Sequence, residues 1–133
     1  MFSIDKMSRT PIYEQLIRSL ELCILSGEIP AEGQLPSVRS LSQQLSVNPN
    51  TLQKAYAEIE RRGLCYTVPG SGRYIAADAL SKLRTAESAR LKDLEEALLN
   101  LRESGVLKQT VEAIVERVYS NGTNQNERKV SEK

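Results

Sequence analysis

The sequence predicts a mostly α-helical protein with one small β-hairpin, and three observations point to that fold class. Three amphipathic segments follow one another before residue 64, each bounded by capping residues, prolines or glycines. Two short alternating runs then flank a Pro-Gly-Ser-Gly turn. From Asp78 onward Ala, Leu, Glu, Lys and Arg dominate, a composition with strong helix propensity. The expected order is therefore three helices, a hairpin and a second helical region.

The first helix is predicted to begin at Thr10 and Pro11. Thr10 can cap the unpaired backbone N–H groups, and Pro11 at the first helical position loses no hydrogen bond that the helix needs. Gly27 is well placed to end the helix. Apolar residues recur at steps of three and four and form one face, which comprises Tyr13, Leu16, Ile17, Leu20, Cys23 and Ile24.

The second and third helices are predicted to be joined by a tight turn. Ser37 is the expected cap of the second helix, and residues 46–47 form the turn. Asn48 and Pro49 then open the third helix as cap and first residue, and Gly63 ends it. The predicted buried positions are Val38, Leu41 and Leu45 in the second helix and Leu52, Ala55, Tyr56 and Ile59 in the third.

A β-hairpin is predicted directly after the third helix. Residues 64–68 alternate as a strand does, residues 69–72 form the turn, and residues 73–76 make the return strand. Three helices followed by a hairpin, with a tight turn between the second and third helices, is the order of a winged helix-turn-helix. We assign residues 1–76 to this domain.

Two further helices are predicted between residues 77 and 119, with a break at residues 104–105. Their apolar faces need a partner, so we expect a twofold dimer that buries both; the alternative is that they pack on their own winged domain. The polar segment 120–133 is expected to be a disordered tail. The predicted dimerisation residues are Leu91, Leu94, Leu98, Leu101, Val111, Ile114, Val115 and Val118.

Composition argues against several classes of protein. The 133 residues include no His and two Cys, so the chain lacks the commonest metal ligand and general base and cannot form a four-cysteine zinc site. No apolar run approaches the roughly 18 residues of a membrane span, and the N-terminus lacks the pattern of a secretory signal. We therefore expect a cytoplasmic protein that is not an enzyme and uses no metal or cofactor.

Charge is distributed unevenly along the chain although the net charge is +1. Residues 33–76 contain five basic and two acidic side chains, a local net charge of +3. A small phosphate-binding face requires such an excess. A solvated surface explains the same excess, so charge alone does not decide between the two.

A sequence run in the first domain carries a family resemblance. Residues 35–64 read LPSVRSLSQQLSVNPNTLQKAYAEIERRGL, and the Pro-Gly-Ser-Gly turn follows them. This run resembles the DNA-binding domain of bacterial transcription regulators of the GntR family. Residues 47–51, 54–56 and Glu58 are similar to the YtrA-like subfamily, as are residues 11–13 and the short C-terminal part.

The resemblance implies which residues contact DNA. It makes residues 49–62 a recognition helix in the major groove and residues 64–76 a wing at the minor groove. One departure is that the family's usual Gly-Thr-Phe after the turn stands here as residues 72–74, Gly-Arg-Tyr. The implied contacts are Ser37 and Arg39 as backbone anchors, Asn48, Asn50, Thr51, Gln53 and Lys54 as readers, and Gly70, Ser71 and Arg73 in the wing.

Each of these assignments has a purely structural alternative. Ser37 and Asn48 serve as helix caps whether or not they touch DNA, and exposed cations such as Arg39 and Lys54 are equally typical of a solvated face. The tyrosines at positions 13, 56 and 66 are expected in the core, and the two cysteines are expected as buried thiols rather than a redox switch.

Taken together, these patterns predict a dimeric, sequence-specific regulator that binds a palindromic operator of double-stranded DNA and represses transcription. Resemblance to YtrA-like members implies target operons that encode membrane transporters. Whether a small-molecule effector binds between the dimer helices, or none binds at all, stays open. The alternative is a winged-helix module that binds protein instead of DNA, whose affinity would not depend on phosphate charge.

Overall fold

The computed structural model describes the backbone of residues 2–131 and the side chains of residues 2–121. It confirms the predicted fold class, with helices and one antiparallel two-stranded sheet in which Cys65 lies opposite Ile75. One compact unit ends at Ser88 and a second begins at Ala89. The elements in chain order are α1 (Ile12–Ser26), α2 (Val38–Leu45), α3 (Pro49–Arg61), β1 (Cys65–Val68), β2 (Gly72–Ile75), α4 (Ala79–Glu103) and α5 (Lys108–Ser131).

The predicted caps of α2 and α3 are confirmed. The Ser40 N–H donates to Ser37 Oγ at 3.0 Å, and the Asn50 N–H donates to Asn48 Oδ1 at 2.8 Å. Each bond satisfies a backbone donor that the first helical turn leaves unpaired. Pro49 occupies the first turn of α3, as the sequence predicts.

The predicted start of α1 is wrong by one residue. Pro11, not Thr10, stands at the N-cap position and makes no side-chain cap. The Gln15 side chain holds the segment before α1 in place, because its Nε2 donates to the Thr10 carbonyl at 2.8 Å. The end of α1 matches the prediction, since Gly27 has a φ of 81°, a left-handed conformation that glycine adopts without a Cβ penalty.

The core of the first unit fixes which face of α3 is left to solvent. Leu52, Ala55, Tyr56 and Ile59 are each at most 1% exposed, so the predicted packing face of α3 is confirmed. These side chains pack in one cluster with the apolar face of α1. Because α3 is anchored through that face, its opposite face is available to a ligand.

The first unit extends further along the chain than the 76 residues assigned from sequence. Ala79 and Leu83 in the first turns of α4 are buried in its core. Helix propensity marks where α4 begins, but burial of these two side chains depends on long-range packing. Residues 77–88 therefore pack with the winged helix-turn-helix in the structure.

Residues 2–10 form an ordered arm that the sequence patterns did not indicate. Phe2 is buried in the core, and the Ser3 carbonyl accepts a hydrogen bond from Ser19 Oγ at 3.2 Å. The Asp5 N–H donates to Gln15 Oε1 at 2.8 Å, while Gln15 Nε2 donates back to the Asp5 carbonyl at 2.9 Å. These bonds fix the arm along α1.

The second unit contains the remainder of α4 and α5, separated by a turn at Gly105. The backbone stays helical to Ser131, where the sequence composition predicted a disordered tail from residue 120. A polar sequence prevents burial, but it does not prevent helical backbone from continuing beyond an amphipathic segment. Residues 132–133 of that tail lie outside the described residues.

No helix within residues 2–131 is long and apolar enough to cross a membrane.

Candidate nucleic-acid interface

The N-terminal half of α3 presents the predicted reading residues to solvent. Asn48, Asn50, Gln53 and Lys54 are exposed, and Thr51 is half-buried. The face therefore carries amide, hydroxyl and ammonium groups with no large apolar side chain. Such groups can hydrogen-bond base edges in the major groove, amides to adenine and a lysine to guanine.

The start of α2 places the two predicted backbone anchors at the surface. Ser37 and Arg39 are both exposed. Neither Arg39 nor Lys54 pairs with an acid among the residues that the structure describes. Both cations are therefore available to phosphate, which favours anchoring over neutralisation within the protein.

A cleft of about 500 Å³ lies between the wing, the start of α2 and α3. The side of the wing that faces it carries small residues at the turn, and Gln34 Nε2 donates to the Ser71 carbonyl at 3.0 Å to hold the turn in place. No acid lines this cleft in the part of the chain that the structure describes. Five of the predicted DNA-contacting residues meet around it, namely Ser37, Gln53, Gly70, Ser71 and Arg73.

The Arg73 side chain lies against α3, although the sequence predicts that it supplies charge at the wing tip. Its guanidinium carbon lies 5.2 Å from the centre of the Tyr56 ring, and its Nε lies 3.6 Å from Glu60 Oε1. One fifth of the side chain is exposed. The reason is the strand register: Arg73 pairs with Thr67 and shares a face of the hairpin with the buried Ile75, so its side chain is directed at α3.

Tyr66 is not a core residue, contrary to the sequence prediction. It lies on the outer face of the wing, stacked on Tyr74 with ring centres 5.9 Å apart. Its hydroxyl donates to Glu32 Oε2 at 2.6 Å. Strand alternation places Tyr66 and Cys65 on opposite faces of the hairpin, but it does not show which face points to the core. In the structure, the buried Cys65 and Ile75 side chains occupy the inner face. Tyr56, in contrast, is buried as predicted.

The C-terminal end of α3 carries a group of ion pairs. Glu58 accepts from Arg61 Nε at 2.8 Å and from Arg62 Nε at 2.7 Å. Arg62 also reaches Glu21 of α1 at 3.4 Å, and Glu21 accepts from Arg18 at 3.2 Å. Arg62 therefore joins the end of α3 to α1, whereas Arg61 pairs with Glu58 within α3.

We expect Glu58 to contribute stability that depends on pH. Hydrogen bonds from Arg61 and then Arg62 hold the pKa of Glu58 at about 2, below its usual 4.5. A carboxylate with a lowered pKa in the folded state stabilises the fold above pH 4.5, and the contribution disappears as pH falls towards 2. Urea unfolding from pH 6 to pH 2 should show a free-energy gap between wild type and Glu58→Gln that closes on acidification.

The control for that measurement is Glu28→Gln, which removes an exposed charge from a loop. A gap for Glu58→Gln that stays constant across this pH range would contradict the assignment of its ion pairs.

The two cysteines behave as buried thiols. Burial raises the pKa of Cys65 to about 11 and also raises the pKa of Cys23. Both thiols are therefore protonated at neutral pH, which disfavours redox chemistry because the thiolate is the reactive form. Within the described residues, no group of three or more Cys, Asp and Glu side chains could hold a metal ion.

Lys6 is a candidate interface residue that sequence reasoning missed. Its Nζ donates to the Ser46 carbonyl at 2.7 Å, so the N-terminal arm places an ammonium group at the turn between α2 and α3. Ser46 and Lys6 are 40 residues apart, and no local pattern relates them. A basic residue in an exposed N-terminal segment was the available signal, and it is a weak one.

The second unit leaves its predicted dimerisation stripe uncovered. The members of the stripe are exposed apart from Val111, which is half-buried. Leu91 is 66% exposed and Val118 is 61% exposed, values far from those of core residues. An apolar groove of about 360 Å³, lined by Leu98, Val106 and Val111, continues the stripe between α4 and α5.

Comparisons with known proteins agree with this geometry. Residues 12–75 match the family described as bacterial regulatory proteins, gntR family. The chain is 38% identical over 107 residues to the HTH-type transcriptional repressor YtrA of Bacillus subtilis (strain 168), covering 80% of this chain and 82% of that protein. The relatives named here are transcription regulators.

Solved structures show the same arrangement of elements. A GntR family transcriptional regulator from Listeria monocytogenes matches with a TM-score of 0.66 and 33% identity, covering 86% of this chain and 98% of that one. The DNA-binding domain of AraR, solved in complex with operator ORX1, matches with a TM-score of 0.51 and 29% identity, covering 56% of this chain and 92% of that one. With its winged helix-turn-helix, its capped third helix and these relatives, the chain belongs to the GntR family of bacterial regulatory proteins and is YtrA-like.

Proposed function

We propose that the protein is a dimeric, sequence-specific DNA-binding repressor that lays α3 in the major groove of its operator. The observation that carries this proposal is the solvent-facing half of α3, where Asn50, Gln53 and Lys54 stand opposite a fully packed apolar face. The AraR domain solved on its operator supports it, since that domain shares the fold. A regulator with this role acts in the cytoplasm, where the operator lies.

Contacts to the DNA backbone come from the start of α2 and from the wing. Ser37 offers a hydroxyl, and Arg39 offers a guanidinium that pairs with no acid among the described residues, for phosphate oxygens. Gly70 and Ser71 make the wing tip small enough for the minor groove. These contacts fix the register of the protein on the duplex, while the α3 side chains read the bases.

Dimerisation completes the function in this proposal. A second copy that covers the stripe from Leu91 to Leu101 and from Val111 to Val118 removes an exposed apolar surface. Two reading heads then match a palindrome whose half-sites are about one helical turn apart. The groove beside Val106 lies in the same surface, so we assign it to the second copy. The resemblance to YtrA-like members extends the proposal to operons that encode membrane transporters.

Selection of duplexes from a random-sequence pool tests this proposal. We expect enrichment of a palindrome with half-sites about 10–10.5 base pairs apart, because a twofold dimer presents two identical heads. Failure to enrich any sequence over the starting pool would contradict the proposal, and it would favour a winged-helix module that binds protein.

Base reading should depend on Asn50 and Lys54. Replacing either by alanine removes a donor that can bond a base edge, so binding to the selected duplex should weaken by about 1–3 kcal/mol. Binding to a random duplex should change much less. Fluorescence anisotropy on both duplexes measures the difference.

The matched controls are Asn100→Ala and Lys92→Ala, which remove the same groups from exposed positions of α4. Equal losses on the two duplexes would show that Asn50 and Lys54 do not read bases.

A further inference from the structure

We propose that Arg73 is a positioning residue that holds the wing against α3 and does not itself contact DNA. This inference rests on the proposed function. It assigns to Arg73 a role different from the direct charge contact that the sequence predicts at the wing tip. Its basis is the set of contacts that the side chain makes inside the protein.

The Arg73 side chain joins the wing to two successive turns of α3. Its guanidinium lies over the Tyr56 ring, with 5.2 Å from its carbon to the ring centre. One turn further along α3, Glu60 Oε1 lies 3.6 Å from Arg73 Nε. A planar guanidinium suits both contacts, since it stacks on an aromatic face while it faces a carboxylate along its edge.

Both wing strands meet at Glu60. The Thr67 hydroxyl of β1 donates to Glu60 Oε1 at 2.6 Å, and Arg73 of β2 approaches the same oxygen. Thr67 and Arg73 are cross-strand partners, so one carboxylate of α3 engages both strands at the same level of the hairpin. The wing is therefore fixed to α3 on its inner face.

The contacts of Arg73 extend to the segment that leads into α2. Its carbonyl accepts from the Leu35 N–H at 2.8 Å, and the Tyr56 hydroxyl donates to the Pro36 carbonyl at 2.7 Å. The segment that leads into α2 is thus bonded to the Arg73 backbone and to Tyr56, the ring that the Arg73 guanidinium lies over. The wing, α3 and this segment line the cleft beside the predicted DNA contacts.

Burial and charge favour positioning over direct contact. The Arg73 side chain is 20% exposed, whereas that of Arg61 is 72% exposed, and Arg73 Nε is buried without a hydrogen-bond partner in the described structure. Glu60 is 42% exposed on the helix that would enter the groove. Arg73 therefore also neutralises an acid that would otherwise repel phosphate.

The test compares Arg73→Met, Glu60→Gln and the double variant with wild type. Amide hydrogen exchange of the DNA-free protein reports on the wing, and anisotropy against a duplex selected from a random pool reports on binding. We expect faster exchange in residues 65–75 of Arg73→Met with unchanged exchange in α1, and about tenfold weaker binding. The double variant should bind no more weakly than Arg73→Met, because Glu60→Gln removes a charge whose partner Arg73→Met already lacks.

Salt dependence separates positioning from direct contact. Loss of one phosphate contact lowers the slope of log affinity against log salt by about 0.9, so an unchanged slope for Arg73→Met supports positioning. Arg73→Lys keeps the charge but loses the planar guanidinium over Tyr56, and it should bind with an affinity between those of wild type and Arg73→Met. Arg84→Met and Glu28→Gln, at exposed positions, are the matched controls and should bind as wild type does.

Unchanged exchange in the wing, or a slope reduced by about 0.9, would overturn the role of Arg73. If wild type binds no duplex, the proposed function fails, while the exchange measurement still decides whether Arg73 holds the wing.

Discussion

Leu94→Asp should convert the proposed dimer into monomers and weaken binding to the selected palindrome by roughly 10²–10⁴-fold. Leu94 is 55% exposed in the single chain and lies in the middle of the α4 stripe. In the proposed dimer the new carboxylate would be buried without a partner, which costs several times the free energy that one apolar contact provides. A monomer has one DNA-binding domain, so it lacks the gain in affinity that two linked domains have on a palindrome. Sedimentation velocity measures the first effect and fluorescence anisotropy the second.

Asn100→Asp is the control for Leu94→Asp. It introduces the same charge into the same helix at an exposed position off the stripe, so it should remain dimeric. A Leu94→Asp protein that still sediments as a dimer would show that the interface lies elsewhere.

Leu52→Ala should cause a large loss of stability. Leu52 lies on the packed face of α3 and is fully buried in the core of the first unit. Truncation of such a side chain costs about 2–5 kcal/mol, a large share of the roughly 5–15 kcal/mol that stabilises a domain of this kind. Urea unfolding at fixed protein concentration gives the free energy of unfolding, and the concentration is fixed because the proposed dimerisation would contribute to that free energy.

The neighbouring substitution Gln53→Ala should have the opposite effect: it should lower base discrimination and leave stability almost unchanged. Gln53 is exposed, so its replacement should change stability by less than about 0.5 kcal/mol while it lowers discrimination between selected and random duplexes. Equal destabilisation by Leu52→Ala and Gln53→Ala would contradict the division of α3 into a packed face and a reading face.

Local signals predicted the part of the fold that presents the site. Ser37 and Asn48 each combine a short polar side chain with the start of an apolar period, and the structure shows both as caps. The packing face of α3 followed from the spacing of four side chains, and all four are buried. These features depend on residues within one or two helical turns, so the sequence contains enough information to predict them.

The features that the sequence did not predict depend on contacts between distant residues. Lys6 reaches the Ser46 carbonyl, and Phe2 enters the core, through packing that no local pattern shows. The family resemblance and the place of Arg73 beside the wing turn predict that it supplies charge to DNA. Which face of a two-stranded hairpin turns inward is decided by the core beneath it, and that placed Arg73 against Tyr56.

In the proposed function, the first unit binds the phosphate backbone of DNA while α3 reads its bases. Titration of the selected duplex at a series of salt concentrations tests whether phosphate charge contributes to binding. We expect a steep negative slope of log affinity against log salt, with about −0.9 for each of several contacted phosphates. A flat response would contradict it, because binding that ignores salt does not depend on phosphate charge.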